Sequence, residues 1–303
     1  MIPAPFPGTE APLRQYHLVS SGVRIAVHEW GDETADPLFL VHGGSDFART
    51  YDVFAPLLAA AGWRVIAWDQ RGHGDSGRAA LYGWDSDIRD AIGVMDRLAS
   101  KPAVVVAHSK GGALSINLAD AHPFRFSHLV NIDGMPSRRP MSDLSEHQRT
   151  KFIAADIGPW LDHRRHADAR ERKPGTIDEL AARRQKSNPR SSMEWLRYLV
   201  TVGATESADG WRWKLDPSMR PGGFGPWRPE WTMTRMPGLG MPFLGMLCGQ
   251  PEPMAWGTKP EEIRHLFPST GRLEVFEDAG HFIHIEQPHA VAEMVLDFLE
   301  HGR

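Results

Sequence analysis

The chain has one cysteine, Cys248, in 303 residues. That excludes an intramolecular disulfide and leaves no thiolate cluster for a structural metal. It also lacks a long apolar run, since nothing approaches the ~18 consecutive apolar residues of a membrane-spanning helix. A charge excess is missing too. The net charge is −4, and the basic residues form no aromatic-interleaved face of the kind nucleic-acid binders use. The opening stretch, MIPAPFPGTEAP, has neither the basic nor the apolar segment of a secretory leader. These absences lead to the expectation of a soluble, cytoplasmic protein with no nucleic-acid or membrane partner, and they leave the oligomeric state open. What is present, 41% hydrophobic and 24% charged residues, suits one large globular domain or a domain carrying an insertion.

Apolar patterning gives the organisation. RIAVHEW alternates apolar and polar residues like a half-buried strand. PLFLVHGG (37–44), RVIAWD (64–69), AVVVAHS (103–109) and HLVNID (128–133) are continuous apolar runs, as expected of parallel strands covered on both faces. Between them lie the helical stretches YDVFAPLLAAAG, WDSDIRDAIGVMDRLAS and GGALSINLADAHP. Repeated strand–helix–strand units of this size imply a doubly wound parallel sheet. The rhythm stops after about Met135. Residues 137–240 show helical stretches, TIDELAARRQ and SSMEWLRYLVTVG, then a Pro/Gly/Trp-rich coil, and no strand series. Strands return at FLGMLCG (243–249) and LEVFED (273–278), followed by a final helix near 288–300. In that helix Val291, Met294, Val295, Phe298 and Leu299 form one apolar stripe. The expected architecture is therefore an α/β core, 1–136 and 241–303, interrupted by an inserted cap at 137–240. Six of the eleven tryptophans fall in the insertion, where they suit either a pocket wall or a small core of its own.

The chemistry concentrates in VVVAHSKGGA (104–113). A serine hydroxyl is a weak nucleophile until a base takes its proton. A sharp strand-to-helix turn lifts such a side chain into the open and aims the first helical N–H groups at a reacting carbonyl. The turn needs small residues two before and two after the serine, and Ala107 and Gly111 flank Ser109 in this way. VHGG (41–44) ends the preceding strand of the pattern, so the Gly44 N–H is placed to join that of Lys110 around an oxyanion. DQRGHGDS (69–76) follows the next strand, and EDAGHFIHIEQP (277–288) carries a histidine after the last one.

In that order these motifs resemble the α/β-hydrolase fold superfamily, with A-x-S-x-G in place of the usual G-x-S-x-G, and the likeness runs through essentially the whole chain. It implies an eight-stranded, mostly parallel, doubly wound sheet with an inserted helical cap. It also implies a serine hydrolase cleaving an ester, lactone or similar acyl bond of a small, moderately apolar molecule, without a cofactor. Ser109 is then the nucleophile, His281 the base, and the N–H groups of Gly44 and Lys110 the oxyanion hole. The triad acid has two candidates. Glu252, in CGQPEP, holds the favoured position after the strand at 243–249, and Asp133, in NIDGMP, follows the strand at 128–133. Asp69, Arg71 and His73 are expected to tie down a loop behind the site. The Lys110 side chain, His284 and the helix HRRHADARERK (163–173) are expected to be solvated or structural, with no metal at His163 and His166. Two alternatives remain: a carbon–carbon hydrolase or lyase using the same three groups, and a ligand-binding homologue without turnover.

Overall fold

The computed structural model describes residues 5–80, 82–136, 158–159, 161–163, 165–167, 171–219 and 229–302. Its centre is a sheet of eight strands in the order β1 (Arg14–Ser20), β2 (Val23–Trp30), β4 (Arg64–Trp68), β3 (Pro37–Val41), β5 (Ala103–His108), β6 (Phe126–Ile132), β9 (Phe243–Cys248) and β10 (Gly271–Phe276). β1 pairs with β2, and β2 with β4, antiparallel; every other pair in the sheet is parallel. The continuous apolar runs have become the parallel strands. Along β5, Val104 and Val106 face one apolar layer while Ala103, Val105 and Ala107 face the other, which is why the run shows no polar alternation. β1 was not singled out in the sequence. Its residues alternate between half-buried and exposed along an edge, so its signal is weak.

Helices cover both faces. α1 (Phe54–Ala60) and the C-terminal α6 (Pro288–His301) lie on one, where Phe54, Leu58, Val291, Val295 and Phe298 join the layer of Val104 and Val106. α2 (Trp84–Leu98) and α3 (Lys110–Ala121) lie on the other, contributing Val94, Met95, Ala113 and Leu114. Each of these side chains larger than alanine, fully buried, stabilises the fold by about 1.5–3 kcal/mol. Because the parallel strands run the same way, the loops after β3, β5, β6, β9 and β10 gather at one edge. In open α/β sheets that carboxyl edge is where ligands bind.

The insertion leaves the sheet between β6 and β9. Much of the expected cap, including 137–157 and 220–228, lies outside the described residues. The described part holds α4 (Ile177–Gln185), α5 (Met193–Gly203) and a hairpin of β7 (Ala204–Ser207) and β8 (Gly210–Trp213). The hairpin corrects the expectation of a wholly helical segment: Ala208 and Asp209 make its turn, and Gly210 just after them sits at φ +120°. α4 begins with a capping box in which Thr176 and Glu179 satisfy each other's backbone N–H groups. Leu180, Trp195, Leu196 and Leu199 form a separate apolar cluster with Phe47 of the core. Trp195 thus belongs to a small core, edge-on to Phe6 and stacked on Tyr198. The end of the hairpin docks on the loop after β4: the Asp216 N–H donates to the Gly72 carbonyl at 2.8 Å, and Lys214 pairs with Asp75 at 2.7 Å. Among the described residues no helix is long and apolar enough to cross a membrane.

Candidate active site

Ser109 follows β5 directly and precedes α3 with no residue between. Its backbone sits at φ 52° and ψ −121°, a conformation that costs a residue with a Cβ about 1–3 kcal/mol. The surroundings hold it there. Its N–H donates to the Ile132 carbonyl on β6 at 3.0 Å, and its carbonyl accepts from the Ala113 N–H at 3.1 Å. The start of α3 presses on the loop after β3 so closely that a methyl group at position 111 would meet the Val41 and His42 carbonyl oxygens at 2.4 and 2.6 Å. Gly111 is therefore required sterically. Lys110 is the first residue of α3, so its N–H has no acceptor within the helix. Gly43 lies against the Ser109 side chain, which brings the HGG loop beside the elbow.

The His281 ring lies between two of the sequence-derived candidates. Its Nε2 is 2.9 Å from Ser109 Oγ, and its Nδ1 is 2.5 Å from Asp133 Oδ2. All three residues are buried. With the Nδ1 hydrogen donated to the carboxylate, Nε2 presents its lone pair to the hydroxyl. Glu252, the acid the sequence favoured, does not face the ring. Its Oε2 accepts from the His281 backbone N–H at 2.7 Å and fixes the main chain rather than the imidazole, while burial raises its carboxyl above the usual range. Asp133 reaches the ring because β6 is the strand next to β5, and its carboxylate emerges one residue past the strand end in a left-handed turn at φ 46°. Next to it, a methyl group at Gly134 would meet the Ser109 carbonyl oxygen at 2.5 Å. That glycine after NID was the available sequence sign of close approach to the elbow. The end of β9, instead of carrying the acid, supports it: the Cys248 N–H and thiol donate to the two Asp133 oxygens, each at 3.3 Å. Burial, then the neighbouring carboxylate, raises the Cys248 thiol far above its ordinary value.

The Lys110 side chain is the second correction. It is 2% exposed and not solvated. Its ammonium pairs with Asp87 Oδ2 at 2.7 Å and donates to Gln70 Oε1 at 2.8 Å. Gln70 passes the constraint on: its Nε2 donates to the His42 carbonyl at 2.6 Å, and its backbone N–H to His42 Nε2 at 2.9 Å. His42 Nδ1 in turn meets the Gly43 carbonyl at 2.7 Å. A buried cation thus braces the loop that presents Gly44. The neighbouring loop has the expected structural role. Arg71 forms a bidentate pair with Asp90 at 2.6 and 2.8 Å, and His73 Nε2 accepts from the Ser45 N–H at 3.2 Å. Asp69 is deeply buried, which alone would raise it. Hydrogen bonds from His28 and the Ala48 N–H outweigh this and hold it at about 2.

Behind His281 the rings of His108 and His284 pack together with centroids 4.5 Å apart, and His108 Nε2 contacts the His281 carbonyl at 2.9 Å. Burial, and then His281, pushes His284 down to about 3, and burial also drives His108 well below its ordinary value. His284 is structural, as expected. For metals, one group among the described residues, His28, Asp69 and Asp75, brings three ligand atoms within 4.8 Å of one another. Asp69 is already engaged by His28 and by two backbone N–H groups, and Asp75 by Lys214. Between the HGG loop and the insertion lies a cavity of about 220 Å³ that begins at Gly44 and Phe282.

Residues 38–294 match the family described as "Alpha/beta hydrolase family", and the chain belongs to that family and is a hydrolase. It is 27% identical to an sn-1-specific diacylglycerol lipase of Mus musculus, over 89% of this chain and 82% of the relative. It is 26% identical to an epoxide hydrolase of Caballeronia sordidicola, over 95% and 94%. A thioesterase domain from the curacin biosynthetic pathway shares the fold with a TM-score of 0.80 at 20% identity, covering 94% of this chain and 99% of that one.

Two outcomes follow from the buried groups. Lys110→Met leaves the Asp87 carboxylate buried without its partner and is expected to cost about 3–5 kcal/mol in urea unfolding. Lys110→Met combined with Asp87→Leu should recover most of that, and a single variant within about 1 kcal/mol of wild type would refute the bracing role. The second concerns pH. An unfolded histidine binds a proton below about 6.5, whereas His284 in the fold stays neutral down to about 3. Acidification through that window therefore favours the unfolded state, by about 1.4 kcal/mol per pH unit for each such histidine. His284→Leu should lower the slope of stability against pH between about 6 and 4 by one proton. An unchanged slope would mean that His284 is not buried neutral.

Proposed function

We propose that the protein is a serine hydrolase that cleaves an ester, lactone or similarly activated acyl bond of a small molecule. The observation that carries this reading is the continuous hydrogen-bonded line from Asp133 through His281 to Ser109 Oγ. In the proposed cycle His281 Nε2 takes the Ser109 proton as the oxygen attacks the acyl carbon, then returns it to the leaving group. Asp133 keeps the ring in the required tautomer and stabilises its transient positive charge. The tetrahedral oxyanion is held by the N–H groups of Lys110 and Gly44, at about 3–4 kcal/mol per donor. Water then repeats the sequence on the acyl-enzyme, with no cofactor. The insertion acts as a cap, walling the cavity that opens beside the HGG loop. The likeness to an epoxide hydrolase does not set the chemistry: opening an epoxide through a covalent ester needs a carboxylate at the elbow, and Ser109 stands there.

The test is labelling and kinetics. A fluorophosphonate should modify wild type once, at Ser109, and not the folded Ser109→Ala variant. On p-nitrophenyl esters Ser109→Ala should lose roughly 10⁴-fold or more in kcat, and Asp133→Ala roughly 10³- to 10⁴-fold. Glu252→Ala should lose about tenfold or less, since it removes a backbone contact and not a ring contact. Unlabelled, folded wild type, or a larger loss at Glu252 than at Asp133, would overturn the assignment.

A further inference from the structure

The cavity beside the elbow has a polar end that acyl transfer itself does not require. Its near wall is Gly44, next to Gly43, and Phe282, next to His281; Phe47, Trp213, Leu215 and Met254 make the apolar sides. α4 and the turn after it contribute Arg184 and Asn188 to the same lining. The Arg184 guanidinium is fixed. One terminal nitrogen donates to Asp46 Oδ1 at 2.8 Å, and its central carbon lies 5.4 Å from the Trp213 ring centroid and 5.9 Å from that of Phe47. Among the described residues its other terminal nitrogen, Nη1, has no hydrogen-bond partner, and neither does the Asn188 side-chain amide. Asn188 is 4% exposed and lines the cavity.

The other charges around the cavity are committed elsewhere. Arg183 donates to the Lys173 and Pro174 carbonyls, and Lys214 pairs with Asp75. Asp46, the one carboxylate among the described lining residues, pairs with Arg184 through Oδ1, and its buried Oδ2 has no hydrogen-bond partner among the described residues. Three lining cations repel a positively charged substrate. A wholly apolar acyl chain would bury the free donors of Arg184 and Asn188 unpaired, which is unfavourable. A carboxylate satisfies both, and a guanidinium packed against the Phe47–Trp213 pair with one edge open suits a planar two-oxygen acceptor.

We propose that Arg184 and Asn188 form an anion subsite and that the acyl portion of the substrate ends in a carboxylate, separated from the scissile carbonyl by a short apolar spacer lying along the surface that Phe47 and Trp213 form together. This rests on Ser109 being the nucleophile. The substrate class is then a monoester, or equivalent activated monoacyl derivative, of a dicarboxylic acid.

The experiment compares monoethyl succinate, glutarate and adipate with neutral ethyl esters and ω-amide esters of the same chain length. At the best length the acid should exceed both controls in kcat/KM by roughly tenfold or more. Arg184→Met should lower the acid by roughly 10- to 100-fold while leaving the neutral ester within about threefold, and Arg184→Lys should restore part of the loss. Amide or neutral esters matching the acid would overturn the subsite. So would a uniform loss on all three in Arg184→Met, which would mark Arg184 as a prop for Asp46. If wild type hydrolyses no ester and Ser109 resists fluorophosphonate, the hydrolase reading fails and the subsite falls with it. Labelled Ser109 with neutral-ester turnover but no acid preference sinks the subsite alone.

Discussion

An imidazole has two nitrogens, and in this chain both are committed along one line: Nδ1 to Asp133 and Nε2 to Ser109. Much of the architecture serves to put those groups within reach. β5 and β6 are adjacent and parallel, so the serine and the acid leave neighbouring strand ends at the same edge. The hydrogen bond from the Ser109 N–H to the Ile132 carbonyl ties one exit to the other. His281 arrives from β10, two strands further out, and needs its own support. Glu252 and His108 hold its backbone N–H and carbonyl, so the ring is positioned from its main chain as well as from its side chain.

The site is also a concentration of strain and buried charge. Ser109 and Asp133 both adopt positive φ, and Lys110, Asp87, Arg71 and Asp90 are all buried. Paired charges in such a place add little net stability, yet removing one partner is strongly unfavourable. Their consequence here is geometric. Lys110 through Gln70 and His42 fixes the loop that presents Gly44, and Arg71 with Asp90 fixes the loop on which the hairpin docks. The donors proposed beside the serine are therefore held in place by buried pairs, which is the condition for electrostatic stabilisation of a developing oxyanion.

The central strands and their helices were legible because parallel strands covered on both faces leave unbroken apolar runs. Ser109 and His281 stood out because the turns that carry them need small neighbours. Which carboxylate faces the imidazole was not legible. Glu252 and Asp133 both follow strands ending at the same edge, and only the orientation of the His281 ring, a tertiary fact, separates them. Lys110 misled for a related reason: a lysine is rarely buried unless paired, and its partners Asp87 and Gln70 lie on other elements. The hairpin at 204–213 hid in a Trp-rich stretch with little alternation, and the edge strand β1 carries only half a buried face.

The most direct measurement of the central interaction is the proton on His281 Nδ1. A proton NMR spectrum of wild type should contain a far-downfield imidazole resonance from the short hydrogen bond to Asp133. That resonance should persist in Glu252→Gln and vanish in Asp133→Asn. A resonance that survives Asp133→Asn and is lost in Glu252→Gln would contradict the account at its root.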